Sequence, residues 1–459
     1  MLRRFVNSLV HIITNTFFRR IEVVGLENVP DTGPAIFAGN HPNALMDGWL
    51  LTAKCGRWPL HFLANAKLWK YRLLVPVLNA SGAVPVYRRE EHDSDVDNSK
   101  AFDKLYEVIE SGQCVGIFPE GISHVESQLV KLKTGTARVA LNVAARGKAV
   151  ANIIPCGLNY IHRHRFRSQV LIEFGEPVVI DAEWLEAYAE AEQKTVVRLT
   201  KHLTEAIRAV TLNAPDWRTL RFIQTVRRLY KPSSRELSPS QYVELNRRFV
   251  EAYLADRDKP EIRELQDKVE DYQSRLDMLG LKDYQLRHPV TLGFAFRKIV
   301  LRCLTMLALL PLAIPGALLH LPVGWIAATI GERFSYEMDD VATLKVFATI
   351  LLLPVLYAAI AIFVGVTFGF WWSVVAIAGL AFSFFLSVRL IEAEAGLFLS
   401  VLSVFRLARL GSEVKDLRAI RADLVTRVRE RVERKIEPGT QRIFTEGDFN
   451  RRRADAQDS

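Results

Sequence analysis

His41 is the residue with the strongest claim to chemistry. It stands in Gly39-Asn40-His41-Pro42-Asn43-Ala44-Leu45-Met46-Asp47-Gly48, six positions before Asp47. A neutral imidazole takes a proton from a hydroxyl when its other nitrogen is held in the right tautomer. A carboxylate does that and also steadies the imidazolium that forms. Asp47 is the nearest carboxylate, so the pair suits a general base acting on a substrate hydroxyl, with no serine nucleophile required. Taken alone, such a pair is a weak signal. Its bland reading is a solvated histidine and a helix-surface aspartate.

Three further segments carry polar groups at the ends of apolar runs. Ser81-Gly82-Ala83-Val84-Pro85-Val86-Tyr87-Arg88-Arg89 ends in two guanidinium groups, whose planar forks suit phosphate oxygens; alone, a surface arginine pair is the plainer reading. Gly116-Ile117-Phe118-Pro119-Glu120-Gly121-Ile122-Ser123-His124 puts Glu120 in a flexible turn. There it could accept from a substrate hydroxyl, organise an arginine, or simply be solvated. Just downstream, Leu132-Lys133-Thr134-Gly135 opens a predicted helix, where Lys133 and free amides could hold an anion. Ile153-Ile154-Pro155-Cys156-Gly157-Leu158 is, by itself, only a strand bearing a proline.

The elements that must position these groups follow from periodicity. Apolar runs at 35–39, 60–64, 83–86, 115–118, 152–157 and 170–174 read as buried strands, alternating with helical patterns at 43–54, 96–110 and 136–145. Strand–helix alternation predicts an α/β fold with a largely parallel sheet covered by helices on both faces. His41 then falls at the carboxyl end of a strand, where such sheets gather ligands. The first twenty residues read as an amphipathic helix with basic ends, or as an ordinary core-facing helix. Residues 180–280 read as charged helices.

Hydrophobic residues make up 49% of the 459, but unevenly. Residues 303–388 carry few charges, clustered between Glu332 and Lys345. The stretch 304–331 contains Pro311, Pro315 and Pro322 and predicts a broken or re-entrant segment. Residues 346–366 and 371–388 have the length of bilayer crossings, with a turn at 367–370 and Trp371 and Trp372 as interface anchors. A buried helical core is the poorer reading of charge-free runs this long. Arg297, Lys298 and Arg302 before the block, and Arg389, Arg406 and Arg409 after it, predict both ends on the cytoplasmic side and an even number of crossings. The expected divisions are 1–20, an amphipathic helix; 21–180, the α/β core; 181–295, a helical extension; 300–390, membrane-embedded helices; and 391–459, a basic helical tail.

A net charge of +9 favours anionic partners, and beside the apolar block lipid is preferred to nucleic acid, for which no motif is present. Cys55, Cys114, Cys156 and Cys303 show no CxxC pair, which argues against a zinc site or disulfide framework. His162 and His164, in Ile161-His162-Arg163-His164-Arg165-Phe166-Arg167, lack partners at metal-ligand spacing and read as a basic surface. No metal or cofactor is expected.

Taken together, the order His–Asp, Gly-x-x-Pro-x-x-Arg, Phe-Pro-Glu-Gly and a proline-bearing strand resembles the four blocks of the phospholipid/glycerol acyltransferase family over roughly residues 20–180. The family pattern has four residues between His and Asp; this chain has five, Pro42 to Met46. That spacing, Gly-Ile-Ser-His, Leu-Lys-Thr-Gly and Asp340-Val341-Ala342-Thr343-Leu344-Lys345 look like the glycerol-3-phosphate/dihydroxyacetone-phosphate acyltransferase branch. The resemblance implies His41 as base, Asp47 as its orienting partner and Arg88 on the acceptor phosphate. It implies that Glu120 and Gly121 shape the acceptor site and that Pro155 lines the acyl side. It further implies an acyl thioester donor (acyl-CoA or acyl carrier protein), a glycerol-phosphate acceptor and a lipid bilayer as partners. A 1-acylglycerol-3-phosphate acyltransferase is the alternative within the class. A non-catalytic lipid-binding scaffold is the alternative outside it; a transporter fits less well, because the two clearest apolar runs hold no charged residue.

Overall fold

A computed structural model describes residues 1–66, 69, 72, 75–86, 99–232, 235–287, 292–335, 341–435, 443–445 and 448. The chain divides into two compact units. The first holds Met1–Leu220, Leu237–Arg247 and Ser335–Thr343; the second holds Arg221–Glu236, Arg248–Phe334 and Leu344–Ser459.

The first unit is built on a seven-stranded sheet. Its strands are β1 (Phe18–Val24), β2 (Ala35–Gly39), β3 (Leu60–Asn65), β4 (Val84–Val86), β5 (Cys114–Ile117), β6 (Asn152–Tyr160) and β7 (Ser168–Phe174), in the order β1-β7-β6-β2-β5-β3-β4. Neighbours run parallel except β6 with β7, so the sheet is largely parallel, as expected. β1 is the strand the periodicity did not reveal. It follows α1 (Leu2–Phe17) without a break, carries Arg19 and Arg20 at its second and third positions, and has only its first residue, Phe18, buried. Its pairing with β7, Ile21 opposite Val170, makes it a strand.

β2 is buried at all five positions, which is why it reads as an unbroken apolar run. On one face Ile36, Ala38, Val115, Ile117 and Ile153 pack against α4 (Ser99–Glu110), α5 (Gly135–Ala145) and α7 (Glu192–Val210) through Leu105, Ile109, Leu141, Leu203 and Ile207. Burying side chains of this size stabilises the fold by roughly 1.5–3 kcal/mol each. Helices α2 (Ala44–Lys54), α3 (Val75–Ser81) and α6 (Ala182–Glu190) complete the unit's named helices, with α6 and α7 separated at Ala191.

Further along the chain lie α8 (Trp217–Tyr230), α9 (Pro239–Asp256), α10 (Pro260–Met278), α11 (Asp283–Leu286), α12 (Leu292–Arg333), α13 (Val341–Phe368) and α14 (Phe370–Lys435). Among the described residues, three helices are long and apolar enough to cross a membrane: Met306–Arg333, Val341–Phe368 and Phe370–Glu392. The expected turn is present, with Gly369 at φ 96° between α13 and α14.

The expected break near the prolines is corrected: α12 continues through Pro311, Pro315 and Pro322. Ser383 of α14 explains how. Its hydroxyl accepts from Gly316 N at 2.7 Å and donates to Leu312 O at 2.5 Å, bridging a rung the helix would otherwise lack. Gly316 allows the approach, since a Cβ there would lie 2.2 Å from Phe384 N. The flanking charges call for an even number of crossings, and three helices qualify by length and composition.

Candidate active site

β2 and β5 lie side by side and parallel, with Ala38 opposite Ile117. The loops leaving their carboxyl ends therefore meet. Asn40 carries the β2–β6 pairing one residue further: its side chain accepts from Leu158 N at 2.7 Å and donates to Leu158 O at 3.2 Å. The chain then turns through His41 and starts α2.

His41 Nδ1 lies 2.9 Å from Asp47 Oδ2. Asn43 N donates to the same oxygen at 2.7 Å, and the Tyr160 hydroxyl donates to Oδ1 at 2.5 Å. Asp47 sits in the first turn of α2, where the helix N-terminus favours an anion. It is fully buried. Burial pushes its carboxyl above the usual carboxylate range, and the bonds from His41, Tyr160 and Asn43 offset that only in part. Burial and the neighbouring Asp47 push the Tyr160 phenol well above its usual range, so it stays a donor. With Nδ1–H committed to Asp47, the Nε2 lone pair is left to take a proton. The ring is held flat against Phe118, centroids 4.1 Å apart and planes 2° apart.

Glu120 comes from the loop after β5, and its side chain is wholly buried. Oε1 accepts from His41 N at 2.7 Å; Oε2 accepts from Val130 N at 3.1 Å and from His124 Nε2. Glu126 N donates to His124 Nδ1, which sets the tautomer in which Nε2 carries the proton. His124 N in turn donates to His41 O at 3.1 Å. The two loops are thus stitched together around the base.

Residues 20–159 match the Acyltransferase family, and residues 222–440 match the family described as glycerol-3-phosphate acyltransferase 2 C-terminal domain. The chain carries an acyltransferase-family domain. Relatives include glycerol-3-phosphate O-acyltransferase 2 of Saccharomyces cerevisiae, 36% identical over 58% of this chain and 38% of that protein. Glycerol-3-phosphate O-acyltransferase 1 of the same yeast is 32% identical over 56% of this chain and 35% of its own length. The chain thus spans well under half the length of these curated relatives. A crystal structure of the 1-acyl-sn-glycerophosphate acyltransferase from Thermotoga maritima is similar at 20% identity and a TM-score of 0.33, covering 45% of this chain and 79% of that one.

The acyltransferase domain gathers some of the residues singled out by sequence and not others. His41, Asp47, Glu120, Gly121 and Lys133 come together. Gly121 has φ 76°, and a Cβ on it would lie 2.7 Å from both Cδ and Nζ of Lys133, so the lysine chain lies over the glycine. Lys133 N also donates to Pro119 O at 2.7 Å. Glu120 offers a substrate no open oxygen, because both are engaged inside the protein. Pro155 is not brought to this rim: it is buried in β6 opposite Ala38, near Gly175 and Val210. Arg88 lies outside the described residues.

Tyr160, Asn43 and His124 are the members sequence reasoning passed over or left undecided. Tyr160 lies beyond the apolar run expected over 152–157, at the end of the observed β6. No sequence signal marks it: β6 ends beside β2 only in the fold, and that placement brings its last side chain to the same rim.

Proposed function

We propose that this chain is an O-acyltransferase that moves a fatty-acyl group from a thioester, acyl-CoA or acyl carrier protein, to the hydroxyl of glycerol 3-phosphate or a related glycerol-phosphate acceptor. One observation carries the reading: an imidazole at a sheet's carboxyl rim whose Nδ1 is held by a buried carboxylate that has two further donors. The names of the two yeast relatives support the acceptor class.

His41 Nε2 removes the acceptor hydroxyl proton while the oxygen attacks the thioester carbonyl. The carbon–sulfur bond then breaks, and the departing thiolate takes the proton back from the imidazolium. Asp47 keeps the tautomer and steadies the positive ring; Tyr160 and Asn43 keep Asp47 ionised. Glu120, gripped by His124, fixes the His41 backbone and acts as a positioning residue. Lys133, lying over Gly121, attracts the acceptor phosphate, and Arg88 is assigned to the same phosphate from its place in the sequence pattern. We assign Pro155 to sheet packing.

For the membrane part, the flanks of the apolar helices support a two-crossing arrangement. Asp283, ahead of them, pairs with Arg421 behind them at 2.9 Å, and Asp256 pairs with Lys435 at 2.6 Å. Polar flanks in direct contact share one side of a bilayer, so the number of crossings is even. The α13–α14 hairpin supplies two. The basic flanks put that side in the cytoplasm.

The test is purified protein with labelled acyl-CoA and three acceptors offered separately: glycerol 3-phosphate, dihydroxyacetone phosphate and 1-acylglycerol 3-phosphate. His41→Ala should cost at least about 10²-fold in transfer. A folded His41→Ala protein that turns over like wild type refutes the assignment.

A further inference from the structure

The apolar arc of α1 is wider than the groove that covers it. Val6, Val10, Thr14 and Phe17 are buried, and Val6 and Val10 pack with Ala53, Ala80 and Trp49. Leu2, Phe5, Leu9 and Ile12 recur three and four residues apart and so share a second face. That face looks outward: Phe5 is 64% exposed, Ile12 62% and Leu2 49%. A polar face would be expected there if the helix only served the core.

Two more observations say what covers this face. Residues 1–21 contain Arg3, Arg4, Arg19 and Arg20 and no acidic residue. All four arginines are exposed. The turn between β6 and β7 then adds Phe166, 46% exposed, against the end of the helix. Its ring meets Phe17 edge-on at 5.9 Å, Arg167 N donates to Phe17 O at 2.7 Å, and Arg165 stands exposed beside it. An apolar strip rimmed by cations, on a chain with helices suited to a membrane, matches an anionic lipid surface better than another protein.

We propose that the outer face of α1, together with Phe166, is a docking surface for an anionic phospholipid bilayer, lying in the headgroup layer rather than crossing it. The same turn touches the catalytic loop: Asn43 Nδ2 donates to Arg163 O at 3.0 Å, two residues from His41. Docking at this turn is therefore one hydrogen bond from the loop that carries the base. The proposal shares only the bilayer with the functional reading, and its test reads lipid contact instead of turnover, so either can fail alone.

The full chain is reconstituted in vesicles of pure phosphatidylcholine, or of phosphatidylcholine mixed equally with phosphatidylglycerol, each doped with a nitroxide-bearing lipid. A fluorophore is placed at Ile12→Cys or, away from α1, at the exposed Val197→Cys on α7. The unsubstituted chain, with Cys55, Cys114 and Cys156 buried, gives the labelling background. The expected result is loss of fluorescence at position 12 and not at 197, deeper in the phosphatidylglycerol mixture, and abolished by Phe5→Asp combined with Leu9→Asp. Equal quenching at both positions, or none at 12, overturns the proposal. So does quenching at 12 by spin-labelled copies of the protein without nitroxide lipid, which would make the face a contact between chains.

Discussion

Removing the Tyr160 hydroxyl is the sharpest test of how the base is held. In Tyr160→Phe the ring remains to pack against Phe18, 5.8 Å between centroids, while Asp47 Oδ1 loses its 2.5 Å donor. A hydrogen bond to a charged group is worth about 1.5–3 kcal/mol, and about 1.4 kcal/mol is tenfold. The ionised carboxylate is therefore disfavoured by roughly ten- to a hundredfold relative to its protonated form. The sign follows from which form the donor serves. Tyr160 stabilises the anion, so without it the Asp47 carboxyl binds a proton more readily. The acid limb of kcat/KM then moves to higher pH, and the loss is recovered, wholly or in part, on raising the pH. The assay is kcat/KM for acyl transfer across the acid-to-alkaline range, with thermal unfolding of both proteins as the folding control. A wild-type profile, a limb displaced downwards, or a loss of the same size at every pH would refute the reasoning; the last would mark Tyr160 as merely structural.

Other consequences concern stability and acceptor binding. Gly121→Ala forces a side chain onto φ 76° and into Lys133, so roughly 1–3 kcal/mol of strain and a raised KM for phosphorylated acceptors are expected, read by calorimetry and by kinetics on glycerol 3-phosphate. Ser383→Ala leaves Gly316 N–H and Leu312 C=O without their bridge and should cost about 1–2 kcal/mol in denaturant unfolding of the detergent-solubilised protein. Asp283 is buried between Arg421, Arg287 and Tyr272. Burial would raise its carboxyl, but the two arginines outweigh burial and hold it below the usual range. Its contribution to stability is thus present above about pH 4 and lost as pH falls through the lowered value. Asp283→Asn should cost about 3–5 kcal/mol at neutral pH and remove that part of the acid dependence in urea unfolding.

Much of this molecule was open to reading in one dimension. Strands buried on both faces must be apolar throughout, so 35–39 and 152–157 show themselves without neighbours. Helices that suit lipid must be long and uncharged, so α13 and the start of α14 do too. His41 and Asp47 belong to one turn and one helix, so their meeting needs only local geometry. Contacts between distant segments depend instead on strand order. Tyr160 reaches Asp47 across 113 positions because β6 lies next to β2. Glu120 is a clasp rather than an open acceptor ligand because the β5 loop folds against the β2 loop and His124 closes over it. β1 is a strand because β7 offers it an edge, and α12 survives its prolines because a serine on another helix supplies the missing partner. Periodicity records which side chains must leave water, and that is a property of each segment. Which polar groups then satisfy one another depends on how segments are ordered in space, and only the tertiary fold decides that.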